Sequence, residues 1–258
     1  MFNQLPRPVI FAHRGASAYA PENTLAAFSL AVRQKSDGIE LDAKLSADGH
    51  VVVIHDQTVD RTTSSRGRVA DLTLADLREM DAGSHFDVEY KGERIPTLEE
   101  VFEAIGKSVF MNIELSNYGS MCDTLPEKVA ELVKRHHLYD SVMFSSFNPI
   151  ALRRIHGLLP EMPLALLALR GSWGGLARGW LGRFLVPYQV LQPALNDVSP
   201  RLIDWAHQAG KRVFVYTVNQ AEEIGEMLSL GVDGIYTDDP LMARRVIAST
   251  SQREPRSP

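Results

Sequence analysis

The chain has 258 residues, of which 45% are hydrophobic, and a formal net charge of −5. A chain of this size can bury a large core and matches the length of a single (β/α)8 barrel, so we expect one domain. The negative charge comes without a long basic run, which argues against a general nucleic-acid-binding surface. The single cysteine, Cys122, excludes an internal disulfide.

The N-terminal segment reaches its first apolar run at Val9. It shows no charged n-region, long apolar region or small-residue cleavage site, so we read no export signal and expect a cytoplasmic location. No window approaches the length of a transmembrane helix, and we expect no stable membrane insertion. The sequence leaves the oligomeric state open.

The chain begins with a pattern of strand, polar tip and helix. Val9 to Ala12 is an apolar run that ends in His13-Arg14-Gly15, and a helical pattern opens at Pro21-Glu22-Asn23-Thr24. Gly38 to Asp42 is the next predicted strand. Its carboxylates Glu40 and Asp42 are two residues apart, so an extended backbone directs both to the same side.

The regular pattern stops between residues 44 and 96. Asp48-Gly49 marks a turn, Val51 to Ile54 is a predicted strand that ends in His55-Asp56, and Thr73 to Met80 is a predicted short helix. More than fifty residues is long for a connection inside a barrel. We therefore predict a small insertion subdomain over about 44–96, after the second barrel strand.

From Thr97 onwards, strands and helices alternate regularly. Without the insertion, the predicted strands end at eight tips: His13, Asp42, Glu114, Ser145, Leu169, Gln192, Thr217 and Asp238. Eight such units predict an α/β fold, a (β/α)8 TIM barrel with its site at the carboxyl ends of the strands. We predict that the domain spans 1–249, that its last helix runs to about Ile247, and that 250–258 form a flexible tail.

The strand tips bring together side chains that suit a metal-assisted hydrolase. Glu40, Asp42 and Glu114 offer only oxygen ligands, which favour Mg²⁺ or Ca²⁺ as one divalent cation. Arg14 offers a planar fork for phosphate oxygens, so a phosphoester is the simplest substrate class. His13 and His55 could share the proton transfers as general acid and base.

Each assignment has a structural alternative. His13 could be a hydrogen-bonded barrel histidine, the pair Glu40 and Asp42 a solvated strand end, and His55 part of a hairpin end. Asp238 and Asp239 precede Pro240, so we interpret them as the cap of the final helix rather than as metal ligands.

Several motifs, in order and at matching spacing from Val9 to about Ile247, resemble the glycerophosphodiester phosphodiesterase family of the bacterial, cytoplasmic type. They are His13-Arg14-Gly15, Pro21-Glu22-Asn23-Thr24, Glu40-x-Asp42, Asp48-Gly49 followed by Val52-Val53-x-His55-Asp56, Arg61-Thr62-Thr63, Asn112-Ile113-Glu114 and Gly231-Val232-Asp233-Gly234-Ile235-Tyr236-Thr237-Asp238. No single motif is specific, but the set is.

The resemblance implies a phospholipase-C-like TIM barrel that hydrolyses glycerophosphodiesters to sn-glycerol 3-phosphate and an alcohol. It implies that His13 and His55 are the acid/base pair and that Arg14 contacts the phosphate. The implied metal ligands are Glu40, Asp42 and Glu114. Glu22 and Asn23 match the motif of the first loop, where we expect them to organise the site.

The sequence departs from the family pattern after Glu114. The family usually places a lysine two residues later, where this chain has Ser116. A missing ammonium removes a source of positive charge near the metal. We therefore expect either lower activity or a different preferred substrate.

The stretch from Pro163 to Pro193 is unusually apolar, with tryptophans and arginines at near-helical spacing. One interpretation is a helix packed over the barrel mouth. The other is a mobile apolar lid that makes weak interfacial contact with a lipid surface, which would favour a lysophospholipase D-like activity on lysophospholipids. Ser116 by itself suggests another alternative for the function, a barrel that binds phosphodiesters without turnover.

Overall fold

The computed structural model describes residues 2–117, 122–167 and 186–253. Its strands are β1 (Val9–Ala12), β2 (Gly38–Leu45), β3 (Val51–Val53), β4 (Phe110–Leu115), β5 (Val142–Ser146), β6 (Leu164–Leu167), β7 (Val190–Gln192), β8 (Arg212–Val215) and β9 (Gly234–Thr237). Eight of them are parallel and form a barrel, while β3 pairs antiparallel with β2.

The barrel is closed by β1, which pairs in parallel with both β2 and β9. The other neighbours follow chain order from β4 to β9, and β2 pairs with β4 directly because β3 lies outside the ring. The predicted (β/α)8 barrel is therefore confirmed. In such a barrel all eight carboxyl ends open at one mouth.

In the described residues, α-helices lie between the parallel strands and cover the barrel. They are α1 (Leu25–Arg33), α2 (Leu74–Arg78), α3 (Leu98–Ile105), α4 (Leu125–Arg135), α5 (Pro149–Leu158), α6 (Pro200–Gln208), α7 (Ala221–Leu230) and α8 (Pro240–Arg253). The last helix continues past the predicted end near Ile247, so residues 250–253 of the predicted tail are helical. Residues 254–258 lie outside the described part of the chain.

Strand alternation divides the core into two layers. Val9 and Phe11 of β1 face the barrel interior, whereas Ile10 and Ala12 pack against the surrounding helices. The interior layer is largely aromatic, and the rings of Phe11 and Tyr236 stack with their centroids 4.9 Å apart. These buried side chains pack against one another inside the barrel.

The predicted insertion, 44–96, contains β3 and α2 and has a hydrophobic cluster of its own. Buried members of this cluster are Val52, Ile54, Val59, Val69, Leu77, Met80, Ala82 and Ile95. One of its contacts with the barrel is the antiparallel pairing of β3 with the end of β2, where Val53 lies opposite Ala43. The division of the chain into barrel and subdomain stays a prediction.

The apolar stretch from Pro163 to Pro193 is described only at its two ends. Residues 164–167 form β6 and 190–192 form β7, while the tryptophans, Trp173 and Trp180, lie outside the described residues. Within the described part of the chain, no helix is both long and apolar enough to span a bilayer.

Candidate active site

A cavity of about 190 Å³ opens at the carboxyl ends of the strands. Six of the eight predicted site residues line it: His13, Arg14, Glu40, Asp42, His55 and Glu114. The structure adds Asn112, Phe147, Leu167, Gln192, Tyr216 and Tyr236 to its wall. The barrel therefore brings together predicted site residues that lie up to about a hundred positions apart in the sequence.

The three predicted metal ligands form one cluster. Glu40 and Asp42 lie two residues apart on β2, and the parallel register places Asp42 beside Glu114 of β4. One oxygen from each carboxylate lies within 4.8 Å of the others. This set of closely spaced oxygen donors fits a divalent cation.

Burial makes it unfavourable for all three carboxylates to be ionised unless a positive charge lies nearby. Glu40 and Asp42 are only 4% and 1% exposed. Burial, together with the charges of Asp42 and Glu114, raises the pKa of Glu40 well above its usual value, and Arg14 only partly offsets this. A bound divalent cation would compensate this repulsion.

Arg14 reaches the cluster from an unusual backbone conformation. Its φ is +56°, and the next residue, Gly15, has φ +87°. A Cβ on Gly15 would lie 2.7 Å from the carbonyl carbon of Ala27, so glycine is required there. The turn lets the backbone N–H of Arg14 donate to Glu40 Oε2 at 3.0 Å.

The guanidinium of Arg14 is held among carboxylates. Its Nη1 donates to Glu22 Oε1 at 2.9 Å, and its Nε lies 3.5 Å from Asp42 Oδ2. Burial opposes the charge, but Asp42, Glu22 and Glu40 outweigh it and raise the pKa of Arg14. The cavity thus keeps a permanent positive charge next to the acidic cluster.

Each predicted catalytic histidine is paired with an aspartate through its Nδ1 atom. His13 Nδ1 lies 2.7 Å from Asp238 Oδ1, and His55 Nδ1 lies 2.6 Å from Asp56 Oδ1. An ionised carboxylate can only accept, so each Nδ1 carries the proton and the Nε2 of a neutral ring is left with a free lone pair. This arrangement prepares both rings for proton transfer.

Hydrogen bonds keep the two aspartates ionised. Burial opposes ionisation of Asp238, but bonds from His13, Asn219 and Ser17 lower its pKa. For Asp56, hydrogen bonds from Arg61 and His55 hold the pKa well below its usual range, against a smaller effect of burial.

Glu22 and Asn23 contact the lining residues from outside the cavity wall. Glu22 joins Arg14 to Arg61, and Asn23 donates from Nδ2 to Asp42 Oδ2 at 2.9 Å. Asn23 Oδ1 also accepts from the backbone N–H of Asp42 at 3.3 Å. With φ at +57°, Asn23 adopts the left-handed conformation that asparagine tolerates better than most residues.

The interpretation of Asp238 as part of a helix cap is wrong. Asp239 is the residue that caps, because its Oδ1 accepts from the backbone N–H of Met242 at 2.8 Å. Asp238 turns instead toward His13, Ser17 and Asn219. Its place at a strand tip was the available signal, since adjacent tips of a closed barrel meet at the mouth.

Sequence reasoning also did not assign roles to Asp56, Arg61, Asn112, Gln192 and Tyr236. Asn112 and Tyr236 lie within matched motifs, but the pattern gave no chemistry for them. In the structure, Asn112 Nδ2 donates to the Tyr236 hydroxyl at 3.0 Å, and Gln192 is hydrogen-bonded to the same hydroxyl. These contacts across the barrel depend on its closure.

Comparisons with a family model and with a similar protein sequence both identify the same family. The model of the glycerophosphoryl diester phosphodiesterase family matches residues 13–242. A glycerophosphodiester phosphodiesterase of Caldanaerobacter subterraneus subsp. tengcongensis is 40% identical over 235 residues, covering 91% of this chain and 95% of the relative.

Two solved structures share the fold over nearly the whole chain. A phosphodiesterase of Oleispira antarctica, in complex with the product sn-glycerol-3-phosphate, superposes with a TM-score of 0.86 at 31% identity, covering 94% of this chain and 97% of that one. A glycerophosphodiester phosphodiesterase of Agrobacterium tumefaciens gives a TM-score of 0.79 at 31% identity, covering 92% and 99%. Together with the cavity described above, these matches show that the chain belongs to the glycerophosphoryl diester phosphodiesterase family.

Proposed function

We propose that this chain hydrolyses glycerophosphodiesters to sn-glycerol 3-phosphate and an alcohol. The observation that carries the proposal is that two histidine–aspartate pairs, three clustered carboxylates and Arg14 meet at one cavity. Family membership and the bound product of the Oleispira antarctica relative support the same substrate class.

In this proposal Glu40, Asp42 and Glu114 hold one divalent cation, Mg²⁺ or Ca²⁺. When bound, the cation would neutralise charge that develops on the phosphate oxygens. The chain itself contributes Arg14, whose guanidinium binds and orients the phosphate beside the carboxylates. Asn23 fixes the orientation of Asp42, and Glu22 fixes that of Arg14.

His13 and His55 divide the proton transfers between them. Each neutral ring has its Nε2 lone pair available, so either ring can accept a proton from a nucleophilic hydroxyl or water. The other ring, when protonated, donates to the leaving alkoxide. Asp238 and Asp56 stabilise the imidazolium form and hold each ring in place, as the aspartate of a catalytic triad does.

The alternatives have less support. A lysophospholipase D-like activity rests on the stretch from Pro163 to Pro193, most of which lies outside the described residues, so it stays a prediction. A barrel without turnover conflicts with the full set of paired histidines and carboxylates. The cytoplasmic location also stays a prediction.

The test is release of glycerol 3-phosphate from glycerophosphocholine, with and without a chelator. We expect cation-dependent release, and we expect His13→Gln and His55→Gln each to lower kcat by about 10²-fold or more. His50→Gln is the matched control, because His50 is an exposed histidine outside the cavity. Cation-independent release, or equal activity in all three variants, would contradict the proposal.

A further inference from the structure

Arg61 lies between two carboxylates that come from separate parts of the chain. Its Nη1 and Nη2 donate to Glu22 Oε2 and Oε1 at 2.7 and 2.9 Å. Its Nε and Nη2 donate to Asp56 Oδ2 and Oδ1 at 2.7 and 3.1 Å. One planar guanidinium therefore makes two paired contacts, a geometry that a lysine ammonium cannot reproduce.

Each of these carboxylates has a second partner at the cavity. Glu22 Oε1 also accepts from Arg14 Nη1, and Asp56 Oδ1 also contacts His55 Nδ1. The result is a continuous chain of charged contacts that runs from Arg14 to His55 through Glu22, Arg61 and Asp56. Arg61 is its central member.

The two ends of this network belong to different structural units. Arg14 and Glu22 lie in the loop between β1 and α1, whereas His55, Asp56 and Arg61 follow β3. His55 is 41% exposed at its side chain, and Asp56 is 28% exposed. Side chains this accessible would otherwise sample several rotamers, so their placement depends on the contacts that hold them.

We propose that Arg61 is a positioning residue that fixes the His55 ring in its Nδ1–H tautomer and aligns it with Arg14. Arg61 engages both oxygens of Asp56, which keeps this carboxylate ionised and oriented toward His55 Nδ1. Because Nδ1 is bonded to Asp56, the orientation of the His55 ring is set, and so is the direction of its Nε2 lone pair. The consequence for catalysis rests on the proposed function, but the tautomer assignment does not.

The second histidine provides an internal control. Asp238, the partner of His13, is held by Ser17 Oγ at 3.1 Å and Asn219 Nδ2 at 2.6 Å, and these are neutral donors. None of the contacts that hold Asp238 in the described structure involves Arg61. A change at Arg61 should therefore affect His55 and leave His13 as it was.

The experiment records the ¹⁵N signals of the histidine rings at neutral pH, which distinguish the two neutral tautomers, in the full chain without cation or substrate. His13→Gln and His55→Gln spectra assign the signals. We expect Arg61→Ala to shift His55 from Nδ1–H toward a mixture of tautomers while His13 is unchanged. Arg61→Lys, a milder variant that keeps the positive charge but cannot make both paired contacts, should give a smaller shift. Arg68→Ala, at a 66% exposed arginine, is the matched control.

Unchanged His55 signals in Arg61→Ala and Arg61→Lys would overturn the proposal, and so would equal changes at His13 and His55. A second measurement concerns activity: Arg61→Ala should lower kcat at least tenfold, more than it changes KM, and added guanidinium should restore part of the loss. A kcat loss that guanidinium does not restore at all would argue against the role of the Arg61 guanidinium in positioning His55. If the wild type shows no diesterase activity, the proposed function fails while the tautomer result still decides the role of Arg61.

Discussion

The ammonium of Lys44 donates a hydrogen bond to the backbone carbonyl of Ser116, with Nζ and O 3.0 Å apart. Lys44 is the second residue after Asp42 on β2 and is only 5% exposed. Burial lowers the pKa of Lys44, while the nearby charges of Asp42, Glu114 and Asp56 act in the opposite direction. A buried ammonium thus lies beside the acidic cluster, although the sequence lacks a lysine at Ser116.

The position of Lys44 bears on the prediction that was based on Ser116. The absence of lysine at position 116 suggested a site with less positive charge and altered activity. Lys44 supplies an ammonium from the neighbouring strand, and both residues line one cavity of about 210 Å³. The expectation of altered activity or substrate preference stays a prediction, but its stated cause is weaker.

Lys44→Met should lower kcat/KM about tenfold, the scale of one lost hydrogen bond to a charged group. The reason is that methionine keeps the side-chain length but removes a positive charge that interacts with Asp42 and Glu114. Steady-state kinetics with glycerophosphocholine measures the effect, and Lys134→Met on the exposed surface is the control. The double variant K44M/S116K should recover activity, because it returns an ammonium to the end of the strand that pairs with β2. Wild-type kinetics in K44M would argue against any role for this ammonium.

Glu22→Gln should destabilise the protein at neutral pH and change its acid unfolding. Burial opposes ionisation of Glu22, but hydrogen bonds and charges from Arg61 and Arg14 lower its pKa from 4.5 to about 2. Because the folded-state pKa is depressed, this stabilisation is present above pH 4.5 and is lost as the pH falls toward about 2. A shift of this size corresponds to about 3 kcal/mol.

Urea unfolding at neutral pH and at several acidic pH values measures this effect. The difference between wild type and Glu22→Gln should be largest at neutral pH and shrink as the pH falls. Glu89→Gln, at an exposed glutamate of the insertion, should show no such trend. A difference that does not depend on pH would show that the charge of Glu22 is not the source of its stabilisation.

Glu114→Gln should have opposite effects with and without a divalent cation. Without a cation, the variant should unfold at a higher Tm than the wild type, because one of three mutually repelling carboxylates is removed. With Mg²⁺ or Ca²⁺, the wild type should gain more in Tm, because binding to the native state stabilises it. Glu103→Gln on α3 serves as the control. Parallel Tm curves for wild type and Glu114→Gln across a cation titration would contradict a metal site at this cluster.

Asn23→Ala should destabilise the protein more than Asn23→Gly. Both variants lose the two hydrogen bonds to Asp42, which together are worth about 2 kcal/mol. Only alanine adds strain, because a left-handed backbone costs a residue with a Cβ about 1 kcal/mol relative to glycine. Thermal unfolding should therefore rank wild type above Asn23→Gly and Asn23→Ala lowest. An alanine variant as stable as the glycine variant would mean that the backbone relaxes at this position.

The sequence by itself determined the barrel and most of its site. Apolar runs with polar tips, alternating with amphipathic helices, indicated eight parallel strands, and the barrel places their carboxyl ends at one mouth. The two-residue spacing of Glu40 and Asp42 was sufficient to place both on one face, since strand alternation is local. The order and spacing of the motifs then assigned His13, His55 and Glu114 to the same site.

The tertiary structure alone decided which residues hold the proposed catalytic side chains in place. The pairing of His13 with Asp238 joins residues 225 positions apart, and the bridge from Glu22 to Arg61 spans 39 positions. Lys44 faces Ser116 because of the register between β2 and β4. Local periodicity determines which face of an element a side chain occupies, but it carries no information on which side chain of another element lies opposite. That information arises only when the barrel closes and its strands adopt a fixed register.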